Sequence, residues 1–273
     1  PDGSGDLDDN AIAPPELSLT KSPITVPVSD LHSALTELCD SDDGETSDNL
    51  SAEEKQARID EHNELPQKVA DFLAVSPSAE HLHLAANLEK NAATRIELLE
   101  RAIALNPNEA FLLWDAVQIC ASERDATACR RQDWEQKLLV IDGQNSESWI
   151  QIAANRYAAG ETEAALDAMR YASTAAVSWS YWTEMIEMVE SGLAAASELS
   201  FSERVVMAFG VAAAKPSHHN DYIAMCREQS ANDAEWAYAC LAYGELVENQ
   251  GKTQMDTTIA LGFQRVALEA LDD

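Results

Sequence analysis

Residues 146–176, SESWIQIAANRYAAGETEAALDAMRYASTAA, constrain the fold of this chain more than any other stretch. Trp149, Ile152 and Ala153 share one face of a first helix, and Ala165, Met169 and Ala172 share one face of a second. Gly160 sits between them, where a tight turn needs a residue free to adopt positive φ. Small residues stand where two helices must approach closely, and large ones where a neighbour must be gripped. A lone hairpin of this kind leaves its apolar face in water. The pattern therefore predicts a stack of hairpins, each burying its face against the next.

The same register recurs upstream. Residues 78–109, SAEHLHLAANLEKNAATRIELLERAIALNPNE, place Leu82, Ala86, Leu99 and Ala102 at matching positions, and Pro107 ends the second helix. Between the two units, residues 109–144 make a divergent hairpin. Phe111, Trp114, Val117 and Cys120 lie on its first helix, and Trp134, Leu138 and Ile141 on its second. Pro107, Gly143 and Val177 are spaced by 36 and 34 residues, close to a repeat of roughly 34.

Trp149, Ala153, Gly160, Ala165 and Ala172, with their upstream counterparts, resemble the tetratricopeptide motif, and the resemblance covers residues 76–176. It implies an all-α fold, an α-solenoid of antiparallel helical hairpins whose first helices line a concave surface for a peptide or partner helix. Carried onto this chain, the implied partner-binding positions are Asn87, Gln118, Asn155 and Arg156, polar residues on otherwise apolar helices.

Past residue 177 the helical period persists without the signature residues. Trp179, Trp182, Met185, Ile186 and Val189 form a stripe expected to end at Gly192. Ser200 or Ser202 can cap a helix that Pro216 terminates, and residues 221–229, 234–249 and 253–271 read as three more. No segment alternates as a strand would. The expected organisation is an arm over 1–52, tetratricopeptide-like hairpins over 53–177, and divergent hairpins over 178–273 continuing the same solenoid. In SWSYW, residues 178–182, three aromatics within four positions cannot share a helix face. At least one is expected at a turn or exposed, which makes Tyr181 and Trp182 candidate interface anchors.

Charge bounds the partners. The chain carries 18 Lys and Arg against 48 Asp and Glu, a formal net charge of −30. Nucleic-acid binding depends on displacing counterions with a basic surface, so that class is excluded, and anionic membranes are disfavoured. A protein partner with a basic surface is compatible. Residues 1–60 hold 15 acids and 3 bases, with Pro14, Pro15, Pro23 and Pro27 interspersed, which predicts a flexible arm with one short helical segment near residues 30–39. No apolar run reaches the roughly 18 residues of a membrane span.

Five cysteines bear on location. Cys120 and Cys129 flank the loop ASERDATA on antiparallel helices, and Cys226 and Cys240 fall on two successive helices. Both pairs are expected to come within disulfide reach, leaving Cys39 over. Disulfides, and a chain opening on Pro1, point to export, with a periplasm as the compartment and the cytoplasm as the alternative.

Motifs that carry chemistry are few. His81 and His83 point to different sides of a helix, His218 and His219 follow Pro216 in a turn, and GKT at 251–253 is a helix-capping turn. No metal, cofactor or catalytic set is expected. The expected function is a non-catalytic scaffold for protein–protein interaction, as in a bacterial cell-envelope assembly. The alternative is an enzyme or enzyme subunit of envelope metabolism with its site in the C-terminal helices.

Overall fold

The computed structural model describes residues 51–122, 129, 133–214 and 219–272. The acidic arm, its expected helix near residues 30–39, Cys39, Pro216 and His218 lie outside them. Among the described residues all regular structure is α-helical, and the only bridge is an isolated parallel one between Asn145 and Val177.

The helices are α1 (Ala52–Leu73), α2 (Ala79–Leu88), α3 (Ala92–Leu105), α4 (Ala110–Ser122), α5 (Trp134–Asp142) and α6 (Ser146–Ala158), followed by α7 (Thr162–Ser173), α8 (Trp182–Ala196), α9 (Phe201–Ala214), α10 (His219–Ser230), α11 (Ala234–Gln250) and α12 (Gln254–Asp272). Their starts are written locally. Ser51 and Glu54 form a reciprocal capping box at α1, and Ser200 with Glu203 does the same at α9. Ser78, Asn91, Asn145 and Asp233 each accept a hydrogen bond from a backbone amide of the helix that follows. Gly160 turns α6 into α7 at φ +79°.

Up to α7, each helix packs on the next, and α4 also touches α6. The chain then folds back. Helix α8 packs on α1 and α2, α10 packs on α6, and α11 packs on α7. Two apolar cores result. One joins α1–α5 with Tyr181, α8 and α9, and the other joins α6 and α7 with α10–α12. The C-terminal helices thus pack against both first and second helices of the N-terminal half.

Gly192 corrects one expectation. It does not end a helix, because α8 runs on to Ala196. A Cβ at Gly192 would stand 2.1 Å from Leu84 Cδ2 and 3.3 Å from Leu73 Cδ1. The missing side chain lets α8 settle onto α1 and α2, so this glycine serves close approach rather than termination.

Both predicted cysteine pairs come together. Cys120 and Cys129 have Cα atoms 5.4 Å apart, Cys226 and Cys240 6.0 Å apart, each with sulfurs at bonding distance.

Candidate functional site

The polar residues of the first helices face one another. His83 Nε2 and Asn87 Nδ2 lie 2.8 and 2.6 Å from Asp115 Oδ2, tying α2 to α4. On α6, Gln151 Nε2 donates to Asn155 Oδ1 at 2.8 Å, and Tyr222 of α10 donates to Gln151 Oε1 at 2.6 Å. Asn155 also reaches the Val117 carbonyl of α4 at 3.5 Å. Buried polar groups need such partners, and here they fix how the hairpins register. Asn87 is therefore committed to an internal bond, and Gln118 is only 5% exposed. Asn87 stays half-buried, and Gln118 presents no open surface.

Asn155 and Arg156 remain beside open space. They line a cleft of about 410 Å³ between the ends of α4, α5 and α6, together with Asp133, Glu135, Glu161 and the Cys120–Cys129 pair. Arg156 lies 3.2 Å from Glu135 and 3.6 Å from Glu161, with its side chain 39% exposed. Trp134 closes the floor and is buried. Among the described residues the cleft sets three carboxylates against one guanidinium, an acidic balance.

The SWSYW segment is a structural connection. Val177 pairs its backbone with the α5–α6 turn, donating to the Gln144 carbonyl at 3.0 Å, while its own carbonyl accepts from Ser146 at 2.9 Å. Asn145 then clasps Trp179 on both backbone groups, at 3.0 and 3.1 Å. Tyr181 follows with φ +52°, a left-handed conformation unusual outside glycine. Its ring stacks against Phe111 and meets Trp114, and its hydroxyl donates to Asp142. Those contacts hold the strained backbone. At 5% exposure, Tyr181 is not the exposed anchor expected of it. Trp182 is half-buried and packs against the first core.

Burial pushes the Asp142 carboxyl above its ordinary range, although Ser148, Tyr181 and Asn145 all donate to it. The Tyr181 phenol is also pushed up, by burial first and then by the charge of Asp142. Glu184, which accepts from the Trp179 indole, is raised by burial too.

A second pocket, of about 80 Å³, lies where the two cores meet. Phe111 and Trp114 of α4, Tyr181, Trp182, Met185 and Tyr222 give it an aromatic and apolar wall. Glu147 of α6, His219 of α10 and Asp256 of α12 add charge. Glu147 sits in the first turn of α6, where the helix dipole favours an anion. His219 Nε2 stands 3.7 Å from Glu147 Oε1, too far for a hydrogen bond. Burial opposes charge on His219, yet Glu147 and Asp256 outweigh it and hold the imidazole above its ordinary range. Asp256 spends one oxygen on the start of α12, accepting from the Lys252 and Thr253 amides at 2.9 Å.

Sequence reasoning passed over this pocket. His219 read as a solvated turn residue, and Glu147 as one acid among 48. Its residues come from six helices spread along the chain, and no local spacing encodes their meeting.

A comparison with protein-family models finds no match to this chain, and a search of curated proteins finds no significant relative. Any functional reading therefore rests on the residues themselves.

Proposed function

We propose that this chain is a non-catalytic, tetratricopeptide-like α-solenoid whose C-terminal hairpins fold back onto the first. In this reading it serves protein–protein interaction in an oxidising compartment such as the bacterial periplasm. The acidic cleft beside Asn155 and Arg156 carries the reading. It offers about 410 Å³ of space, it adjoins two of the positions that the repeat resemblance marks for partner contact, and its Asp133, Glu135 and Glu161 complement a basic segment. The occupant is thus an extended peptide or helix end bearing Lys or Arg. Two cysteine pairs at disulfide distance support the compartment.

Fluorescence anisotropy with a labelled Lys/Arg-rich peptide tests this, with a charge-neutral peptide of the same length as control. Saturable binding that the double variant Glu135→Lys/Glu161→Lys weakens at least tenfold, with unchanged circular dichroism, is the expected result. Equal binding of both peptides removes the cleft from consideration.

One observation favours the alternative of an enzyme or enzyme subunit of envelope metabolism. Glu147 and His219 pair a carboxylate with an imidazole in a pocket walled largely by C-terminal helices, a pairing that can serve acid–base chemistry. A small molecule retained through purification and chemically altered on incubation with fresh protein favours that reading.

A further inference from the structure

We propose that the pocket between the two cores is a binding site for a small protonated amine, with Glu147 as its carboxylate receptor. Glu147 is 3% exposed, and among the described residues its Oε1 has no hydrogen-bond donor. A buried carboxylate oxygen left without a donor costs stability, and more than a neutral group does. The α6 N-terminus and His219 offset the charge of Glu147. Neither supplies a hydrogen bond to Oε1. The oxygen lines a space able to hold a ligand, and what it lacks is an N–H or O–H.

The walls select the rest of the ligand. Tyr181, Trp182 and Tyr222 offer ring surface, and Met185 and Ile259 offer aliphatic surface. Aromatic faces beside a carboxylate favour a cation over a neutral molecule. A quaternary ammonium carries no N–H and would leave Oε1 as it is, so the chemistry points to a primary or secondary ammonium with a short alkyl body. Size agrees. A cavity of about 150 Å³ takes a benzene ring, so about 80 Å³ suits a chain of only a few carbons. Access lies past Thr253 and the half-exposed Met255. The net charge of −30 raises the local concentration of any cation near that mouth. This site is separate from the acidic cleft, and its test is independent of the scaffold reading.

Isothermal titration calorimetry and tryptophan fluorescence with n-butylammonium, n-butanol, tetramethylammonium and potassium as their chlorides or free alcohol test the proposal on the unmodified protein. Saturable binding of n-butylammonium, at least tenfold tighter than n-butanol and than tetramethylammonium, is the expected result. Comparable affinity for the alcohol overturns it, as does tighter binding of tetramethylammonium or potassium. Glu147→Gln keeps the shape and removes the charge, and should abolish the preference for amine over alcohol. A preference that survives in a folded Glu147→Gln protein also overturns the proposal. If that variant melts, the ligand series on the unmodified protein still decides. A short peptide carrying one lysine assigns the source: tenfold tighter binding than n-butylammonium points to a partner's side chain, and equal or weaker binding to a free amine.

Discussion

The Tyr181 hydroxyl donates to the Asp142 carboxylate, closing a contact across 39 residues between the end of α5 and the start of α8. This bond, with the Asn145 clasp on Trp179, sets where the chain turns from the second core back to the first. Tyr181→Phe keeps the ring stack and removes the donor. It should destabilise by about 1.5–3 kcal/mol, the range for a hydrogen bond to a charged group. Tyr181→Ala also leaves a cavity among Phe111 and Trp114, and should cost about 3–5 kcal/mol. Urea denaturation of both variants checks the order, and a Tyr181→Phe protein as stable as its parent would show that the bond contributes nothing.

The two cysteine pairs close loops of 9 and 14 residues. Chain-entropy estimates give about 2.5–3 kcal/mol for each, by restricting the unfolded state. Reduction should therefore lower the melting temperature in two separable steps, with Cys120→Ser and Cys226→Ser reproducing one step each. Peptide mapping without reductant must recover both cross-links from protein purified in its native compartment. Four free thiols there would remove the case for an oxidising location.

Stability should rise as pH falls from about 8 towards 6. His219 is held above its ordinary value of 6.5, so its contribution is complete below that value and lost as pH climbs through the higher folded one. Asp142 and Glu184 are raised as well, and by the same sign regain stability only as they protonate at lower pH. Glu203 is lowered by its Ser200 cap and opposes them, losing its contribution in the acid range. Calorimetry at pH 6 and pH 8 measures the slope. His219→Gln should flatten it, and a slope unchanged in that variant assigns the effect to general charge repulsion.

Gly192→Val tests the fold-back itself. Its side chain meets Leu84, which is fully buried and cannot swing into solvent. Overpacking of this kind costs about 1–3 kcal/mol. Gly210 has open space around its missing Cβ, so Gly210→Ala should be neutral or mildly stabilising through helix propensity. Equal effects at the two glycines would argue against close α8–α2 packing.

Helix content and pairing were legible because they depend on local signals: the stripe of Ala165, Met169 and Ala172, the Gly160 turn, and the Ser200 cap. The cysteine pairs were legible for the same reason, each spanning one hairpin. What lay hidden was the return of α8 to α1 and α2. That return rests on Gly192 fitting over Leu84, on Asn145 reaching Trp179, and on Tyr181 reaching Asp142, all contacts across 34 residues or more. Asn87 and Gln118 were ambiguous for a related reason. Polar residues on an apolar helix read as a binding surface, whereas here Asn87 bonds Asp115 of α4 and Gln118 is buried. The central pocket inherits both difficulties, since Glu147 and His219 meet only after the fold-back.

Arg156 gives the sharpest test of the acidic cleft, because the structure reverses the simple expectation for a binding residue. Its guanidinium sits between Glu135 and Glu161 and neutralises part of the charge that a basic peptide would use. Both pairs are well exposed, so removing them should change stability by no more than about 1 kcal/mol. Arg156→Ala should therefore leave the fold intact and tighten binding of a Lys/Arg-rich peptide several-fold. Its salt dependence should also steepen between about 50 and 500 mM, as more unpaired charge becomes subject to screening. Asn155→Ala works in the opposite direction: it removes a polar group at the cleft wall and loosens α6 from the Val117 carbonyl, so binding weakens. Anisotropy titrations of both variants at two salt concentrations separate the cases. If Arg156→Ala instead lowers the peptide's affinity tenfold, the guanidinium contacts the partner directly, and the partner presents an acidic or carbonyl-rich surface to this cleft rather than a basic one.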